Sequence, residues 1–578
     1  MSFFLTLFLI NTGCGGGKDG GDDTGANDDG IHLEIESPDR AAFIPSGEVS
    51  LTGSVFSYGS DVMVLEVNNE SVPVANNGNF SVKPSLVTGL NIFATMAENE
   101  AGEFAVDGRS IYHGDQIDQG ETVSGGAMIL VTPSLLDDDE ASLNDAASIL
   151  EMAIEDSSFG ELLIGQTVPT DYFDFTLTGF TVSEANIDLA PASGTVEGEI
   201  SLSDIWISFD LDDILGIGLD SSGEAWATEA NVNMSLDFEM YNGEIVTNSS
   251  NSDASLTGFG LTVEWVPDSI EGYLGDWLQE YVEDTVEDEI NSKAGAMLAD
   301  FLEGLAAGTE VAGVELDMSL TTIEIAPQGI RMIADVAAAG APILPMPQNG
   351  GSPRTSGEAP SWGDLSDAPI SLVLDDDIIN QLLFGFWLGG AFEDYQFSGA
   401  EFDLLSGGPV YEPLGPIESV SVDFNLPVML APPVNSAMTA DLGVGELVMN
   451  FLRTDGSEHN ISVNAWLGAV LSLTESSSVD IDLDGSSENL ESAIGVVSTT
   501  SNESNYELAS QLQSILPGLL GRAASLAPNI DIPSLPLGEK LGLESMEGLA
   551  LVINNATVDV LDSGWTVLTS ELEAETVE

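Results

Sequence analysis

The chain has 578 residues, 97 acidic against 10 basic, for a formal charge of -87, and 43% of it is hydrophobic, enough for packed cores in several domains. That field repels phosphate from every face and excludes nucleic acid as a partner. A single cysteine rules out an internal disulfide, and three scattered histidines, His32, His113 and His459, leave no Cys/His zinc site.

At the start, Phe3 to Ile10 is apolar throughout, the length of a secretory signal core and far short of the roughly 20 residues needed to span a bilayer. Asn11, Thr12, Gly13 and Cys14 follow, and this stretch resembles a bacterial lipoprotein processing site, where a small residue precedes a cysteine that receives diacylglycerol. The resemblance implies a signal over residues 1–14 with Cys14 as lipid anchor, an exported protein, and an outer-membrane or cell-surface location. The alternative is an ordinary cleaved signal with an incidental thiol. Residues 15–30, rich in Gly and Asp, read as a flexible tether.

From 31 to 114, short β-branched runs such as "EVSLTGSV", "DVMVLEV" and "NGNFSV" alternate with turn signals at the spacing of a sandwich. The phrases "SPDRAAFIPSGEVSLTGSV" and "TGLNIFATMAENEAGE" resemble bacterial Ig-like modules, which implies a spacer or an adhesive unit. A polar stretch from Asp115 to Gly126 precedes a first large lobe, 127–340. Within it, Leu143, Ala146, Ala147, Leu150, Ala153 and Ile154 recur at helical steps, with Ser142 and Asp145 suited to the helix start. In "ANVNMSLDFEM" and "GEISLSDIWISFDL" the period is two, which predicts antiparallel strands with one apolar side. The segment from Ile270 to Leu305 repeats apolar residues at helical spacing and predicts a rod of about 50 Å to cover that side.

Residues 341–369 form a Pro/Gly/Ser connector, after which the theme returns over 370–571. "ISLVLDDDIINQLLFGFWLGGAF" is a strand running into a helix, alternating strands follow, and "YELASQLQSILPGLLGRAASLA" predicts a second long helix with Pro517 inside it. The order of elements over roughly 130–571, above all Leu372 to Phe392 and "PNIDIPSLPLGEKLGLESMEGLALVINNATVDV", resembles the bactericidal/permeability-increasing and lipid-transfer family, the tubular lipid-binding superfamily. The resemblance implies two tubular lobes, each a curled antiparallel sheet wrapped around long amphipathic helices, in a mainly β, α+β fold. It also implies apolar pockets at the seams, where burial of a fourteen-carbon acyl chain is worth about 11 kcal/mol.

The residues expected to face such a seam are Leu150, Ile154, Phe209, Met234, Phe238, Trp277, Leu278, Tyr281 and Met297 in the first lobe, with Leu383, Phe386 and Trp387 in the second. For each of them singly, plain core packing is the simpler reading. The basic tips and disulfide of that family's vertebrate members are missing here, so neutral or zwitterionic lipid, or headgroup contact bridged by a divalent cation, fits the charge better.

"DIDLDGSSENLE", Asp480 to Glu491, satisfies a calcium-loop expression, but Val479, Ile481 and Leu483 alternate as in a strand, and Ser487 stands where an aliphatic residue is usual. Asp375 to Asp377 read as a helix start. No nucleophile elbow, zinc-protease, phosphate-loop or dinucleotide motif is present. The expectation is therefore a protein without catalysis or resident metal that binds, sequesters or moves lipid at the envelope. The alternative is a structural or adhesive surface protein with fully packed lobes.

Overall fold

The computed structural model describes residues 30–576 except 141, 156–163, 166, 216, 267, 307–308, 312–313, 366–367, 393–394, 474–477, 485, 487–488, 524–529, 532–534 and 537–547. The expected anchor Cys14 and the tether over 15–29 lie outside the described residues.

The first unit packs two sheets face to face. One holds Ile31–Ser37, Leu51–Ser57 and Asn79–Val82; the other holds Ala42–Ile44, Phe104–His113, Gly89–Asn99, Val62–Val67 and Glu70–Ser71. Alternation sends Leu51, Val55, Leu65, Val67, Phe93 and Ile111 inward to one core. The unit docks on the body. Phe43, Leu90 and Tyr112 bury against Phe384, Trp387, Leu426 and Met429 of the body, and the Tyr112 hydroxyl donates to the Pro427 carbonyl at 3.0 Å.

The body corrects the expected fold class. Curled sheets wrapped around long helices are not what forms. The chain is mainly β, with six α-helices among the described residues, and only Asp268–Leu305 is long. That helix lies chiefly on an edge strand, Glu244–Thr257, instead of being enclosed by its sheet. In the second half, Asn505–Ala523 spans 19 residues and rests on Leu490–Thr499, at one end of a sheet. The physical reason is strand length. Thr195–Ile214 and Leu219–Tyr241 pair along nearly their whole lengths, so the strands supply most of the surface that covers other strands.

One 16-stranded sheet runs through both halves. Val314–Ala326, Gly329–Gly340 and Val123–Val131 continue through Ile370–Asp375 into Trp565–Thr576, Leu549–Leu561, Glu458–Leu473 and Ala440–Arg453, every neighbour antiparallel. A separate seven-stranded sheet is centred on the Thr195–Ile214/Leu219–Tyr241 pair, and the fold includes a curled half-barrel sheet.

Carboxylates on two helices meet the edges of that smaller sheet. Glu151 and Glu155, on helix Ala146–Glu155, accept from the Ile187 and Ala185 amides at 2.8 and 3.0 Å. Across the sheet, Glu283 accepts from the Leu256 amide at 3.0 Å, and Glu303 accepts from Ile245. Edge amides that would otherwise recruit another strand are thereby occupied by acidic side chains.

Buried positions on the long helix step by four: Leu274, Leu278, Val282, Val286, Ile290, Ala294, Leu298 and Leu302. Four residues overshoot a full turn by about 40°, so this stripe coils around the rod as the twisted sheet beneath it requires.

Candidate functional site

The nine first-lobe seam residues come together. Leu150, Ile154, Phe209, Met234, Phe238 and Leu278 are buried in one core, and half-buried Trp277, Tyr281 and Met297 pack against it. The three second-lobe residues do not share a site. Leu383 is half-buried beside Leu430, Ala440 and Val560, and Phe386 is half-buried on the same helix. Trp387 is buried where the first unit docks, its Nε1 donating to the Phe424 carbonyl at 2.6 Å.

The aromatic members of the first-lobe seam form a chain that leads outward. Phe175 touches Phe209, Trp277 and Tyr281 at ring separations of 5.2–5.3 Å, and Trp277 stacks on Tyr281 at 5.2 Å. Phe173 lies 5.5 Å from Trp277 and 6.3 Å from Tyr273; Tyr273 meets Tyr172 at 4.8 Å, and both of these tyrosines are exposed.

Beyond them the apolar surface continues over loops. Leu215 and Ile217 occupy the turn between the two longest strands, Leu219 opens the second of them, and Trp265 precedes the long helix, 89% exposed against 71% for Ile217. Local hydrogen bonds hold this fringe in place. The Leu215 amide donates to the Tyr172 carbonyl at 2.7 Å, Gly218 N–H donates to Asp213 Oδ1 at 2.8 Å, and Ser221 Oγ donates to the Glu264 carbonyl at 2.5 Å.

Two of the outward side chains sit on left-handed backbone, Leu215 at φ +58° and Trp265 at φ +59°. For bulky residues that conformation costs on the order of 1 kcal/mol or more each. Burial does not offset it, since both side chains face solvent. The charged residues nearest the fringe in sequence, among them Asp171, Asp174, Asp212, Asp213, Asp220, Glu264 and Glu271, are all acidic.

Sequence reasoning passed over Tyr172, Leu215, Ile217 and Trp265. The available signal was "ILGIGL", a turn between two alternating strands in which the expected polar residues are aliphatic.

At the calcium-loop expression, Ser478–Asp484 is a strand paired with Glu458–Leu473, and Asp484 accepts from the Ser486 amide and the Asn489 side chain. Among the described residues no group of three or more His, Cys, Asp or Glu is placed to hold a metal ion. No helix among them is long and apolar enough to cross a membrane.

No family model matches the chain, and no curated protein matches it. Among solved structures it is similar to a lipopolysaccharide binding protein, at 12% identity over 79% of this chain and 100% of that one, with a TM-score of 0.41. It is also similar to P47 of Clostridium botulinum E1, at 8% identity over 78% and 99% of the two chains, TM-score 0.26. A third similarity, at 10% identity over 54% of this chain and 100% of the other and TM-score 0.13, is to SGBP-B of the Bacteroides ovatus mixed-linkage glucan utilization locus, in complex with a mixed-linkage heptasaccharide.

Proposed function

We propose that this is an exported, non-catalytic lipid-binding protein of the bacterial envelope that meets a lipid surface through the fringe Leu215, Ile217 and Trp265. The observation that carries the reading is that two bulky apolar residues are held outward on left-handed backbone, and that one of them, Leu215, is tied by its amide to Tyr172, which with Tyr273 begins the aromatic chain at the seam. An acyl chain leaving a bilayer at this point would meet exposed Tyr273 and then half-buried Trp277 and Tyr281, whose rings offer apolar faces. The lone cysteine, as a lipidated anchor, would keep the protein beside its membrane.

Insertion of Leu215, Ile217 and Trp265 at about 1.5–3 kcal/mol each, less the cost of ordering, gives a net gain near 5 kcal/mol. That corresponds to a dissociation constant on the order of 0.1–1 mM, a contact that forms and releases readily. The acidic rim sets the preference, because it opposes anionic headgroups and leaves zwitterionic ones untouched.

Co-sedimentation with phosphatidylcholine vesicles tests this. The wild type is expected to partition onto them, Ile217→Ser with Trp265→Ser to lose at least about tenfold, and phosphatidylglycerol vesicles to bind less at low salt. Equal partitioning of wild type and double variant, or no binding to either vesicle, would overturn the reading.

A further inference from the structure

On the solvent face of the seven-stranded sheet, one row across four strands reads Thr181, Trp206, Trp226, Gly260 in register. Trp206 and Trp226 are cross-strand neighbours whose rings lie 6.0 Å apart and within 21° of parallel. Their own strands send Ile205, Ile207, Ala225 and Ala227 inward, so neither indole contributes to the core beneath. Trp206 is 44% exposed and Trp226 half-exposed. Gly260 makes the arrangement possible. A Cβ there would fall 2.7–2.9 Å from the Trp226 ring atoms, so the indole lies flat over bare backbone.

We infer that this indole pair is a binding platform for a neutral saccharide. Charge decides first. No lysine, arginine or histidine occurs between His113 and Lys293, so the whole sheet is without a cation, while Asp204 and Glu224 are exposed on the strands that carry the two tryptophans. Phosphorylated or uronic ligands are repelled, which leaves uncharged and cationic ones.

Geometry decides between those two. A quaternary ammonium is held by rings turned toward one point, whereas this stacked, near-parallel pair does not converge and offers flat ring faces instead. A pyranose offers the matching shape, with a face of C–H groups for the indoles and hydroxyls around its rim. Thr181, Ser208, Thr228, Asp204 and Glu224 stand one strand spacing or two residues away, roughly 5–7 Å, where they can accept from or donate to those hydroxyls.

Affinity electrophoresis of the full chain, in native gels containing a soluble β-glucan, an α-glucan, a mannan or alginate, tests the inference. At least one neutral polysaccharide is expected to retard the wild type, and alginate none. Trp206→Ala should weaken retardation by at least about fivefold, and Trp206→Phe should restore part of it. Should Trp206→Ala fail to fold by circular dichroism, Thr181→Arg at the exposed end of the row is expected to block the platform instead.

The inference is overturned if no neutral polysaccharide retards the wild type. It is equally overturned if the folded variants migrate like it, or if tetramethylammonium binds saturably at this pair while sugars do not. Binding to phosphatidylcholine vesicles through Trp265 should be the same in Trp206→Ala and wild type, which keeps failure at one surface separate from failure at the other.

Discussion

Arg40→Met is expected to destabilise the protein by about 3–5 kcal/mol at pH 8, with the deficit shrinking as pH falls. Arg40 lies between the first unit and the body. One guanidinium nitrogen donates to the Gly108 carbonyl at 2.7 Å and to both Glu446 oxygens at 3.2 and 3.3 Å, while the other pairs with Asp107. Glu446 is fully buried and also accepts from the Ser110 amide at 2.9 Å and from Ser462 Oγ at 2.8 Å. Burial raises its pKa, and Arg40 is the largest influence holding it down.

Removing the cation leaves a desolvated carboxylate whose folded pKa rises further. A raised acid contributes its stability below the unfolded value and loses it as pH climbs through the folded one. The variant should therefore be weakest at high pH. Adding Glu446→Gln should recover most of the loss at pH 8, read as urea midpoints of the single and double variants from pH 5 to 8. A deficit independent of pH, or no recovery in the double variant, would show that Arg40 matters through packing alone.

That interface also marks where sequence reading stopped. Period-two alternation around Met234 and Phe209, and the helical spacing from Leu274 to Leu302, are local patterns, and the structure buries those residues as the patterns require. Pairing across hundreds of residues leaves no such trace. Arg40 and Glu446 are 406 positions apart, and neither one's neighbours reveal that it is buried opposite the other. The joining of Ile370–Asp375 to both Val123–Val131 and Trp565–Thr576 is equally invisible, because antiparallel register depends on partners and not on period.

The candidate site was half legible for the same reason. Apolar stripes identify the seam, but a stripe does not say whether its end is covered. Leu215 and Trp265 stand out only once their backbone conformation and exposure are known.

Asp376→Asn is expected to stabilise the protein at pH 8, by on the order of 2–4 kcal/mol, to do so by less than half as much at pH 5, and to have little effect below about pH 4. Three consecutive aspartates open the helix Asp376–Leu388, and all three are buried. Two of them are provided for. Asp375 caps the helix by accepting from the Asp377 amide at 2.8 Å, and Asp377 accepts from the Thr355 and Ser356 amides at 2.6 and 3.1 Å.

Asp376 has less support: Oδ1 accepts from Thr566 Oγ1 at 2.7 Å, while Oδ2 is buried without a partner. Burial, with the neighbouring Asp375 and Asp377 charges, pushes its pKa up to about 7, and burial pushes Asp375 up to about 6. Both shifts are upward from 3.8, so the folded state holds protons that the unfolded state has released. Their contribution is complete below about pH 4 and disappears as pH rises through 6 and then 7.

The wild type should therefore unfold at higher urea at pH 5 than at pH 8. Relief of repulsion among the other carboxylates acts in the same direction, which is why the comparison with Asp376→Asn is needed. The asparagine keeps an acceptor for Thr566 and carries no charge beside Asp375 and Asp377, so the variant's profile should be flatter by the share that belongs to position 376. An Asp376→Asn protein less stable than wild type at both pH values would mean that the carboxylate is charged and satisfied in the fold, contrary to its burial.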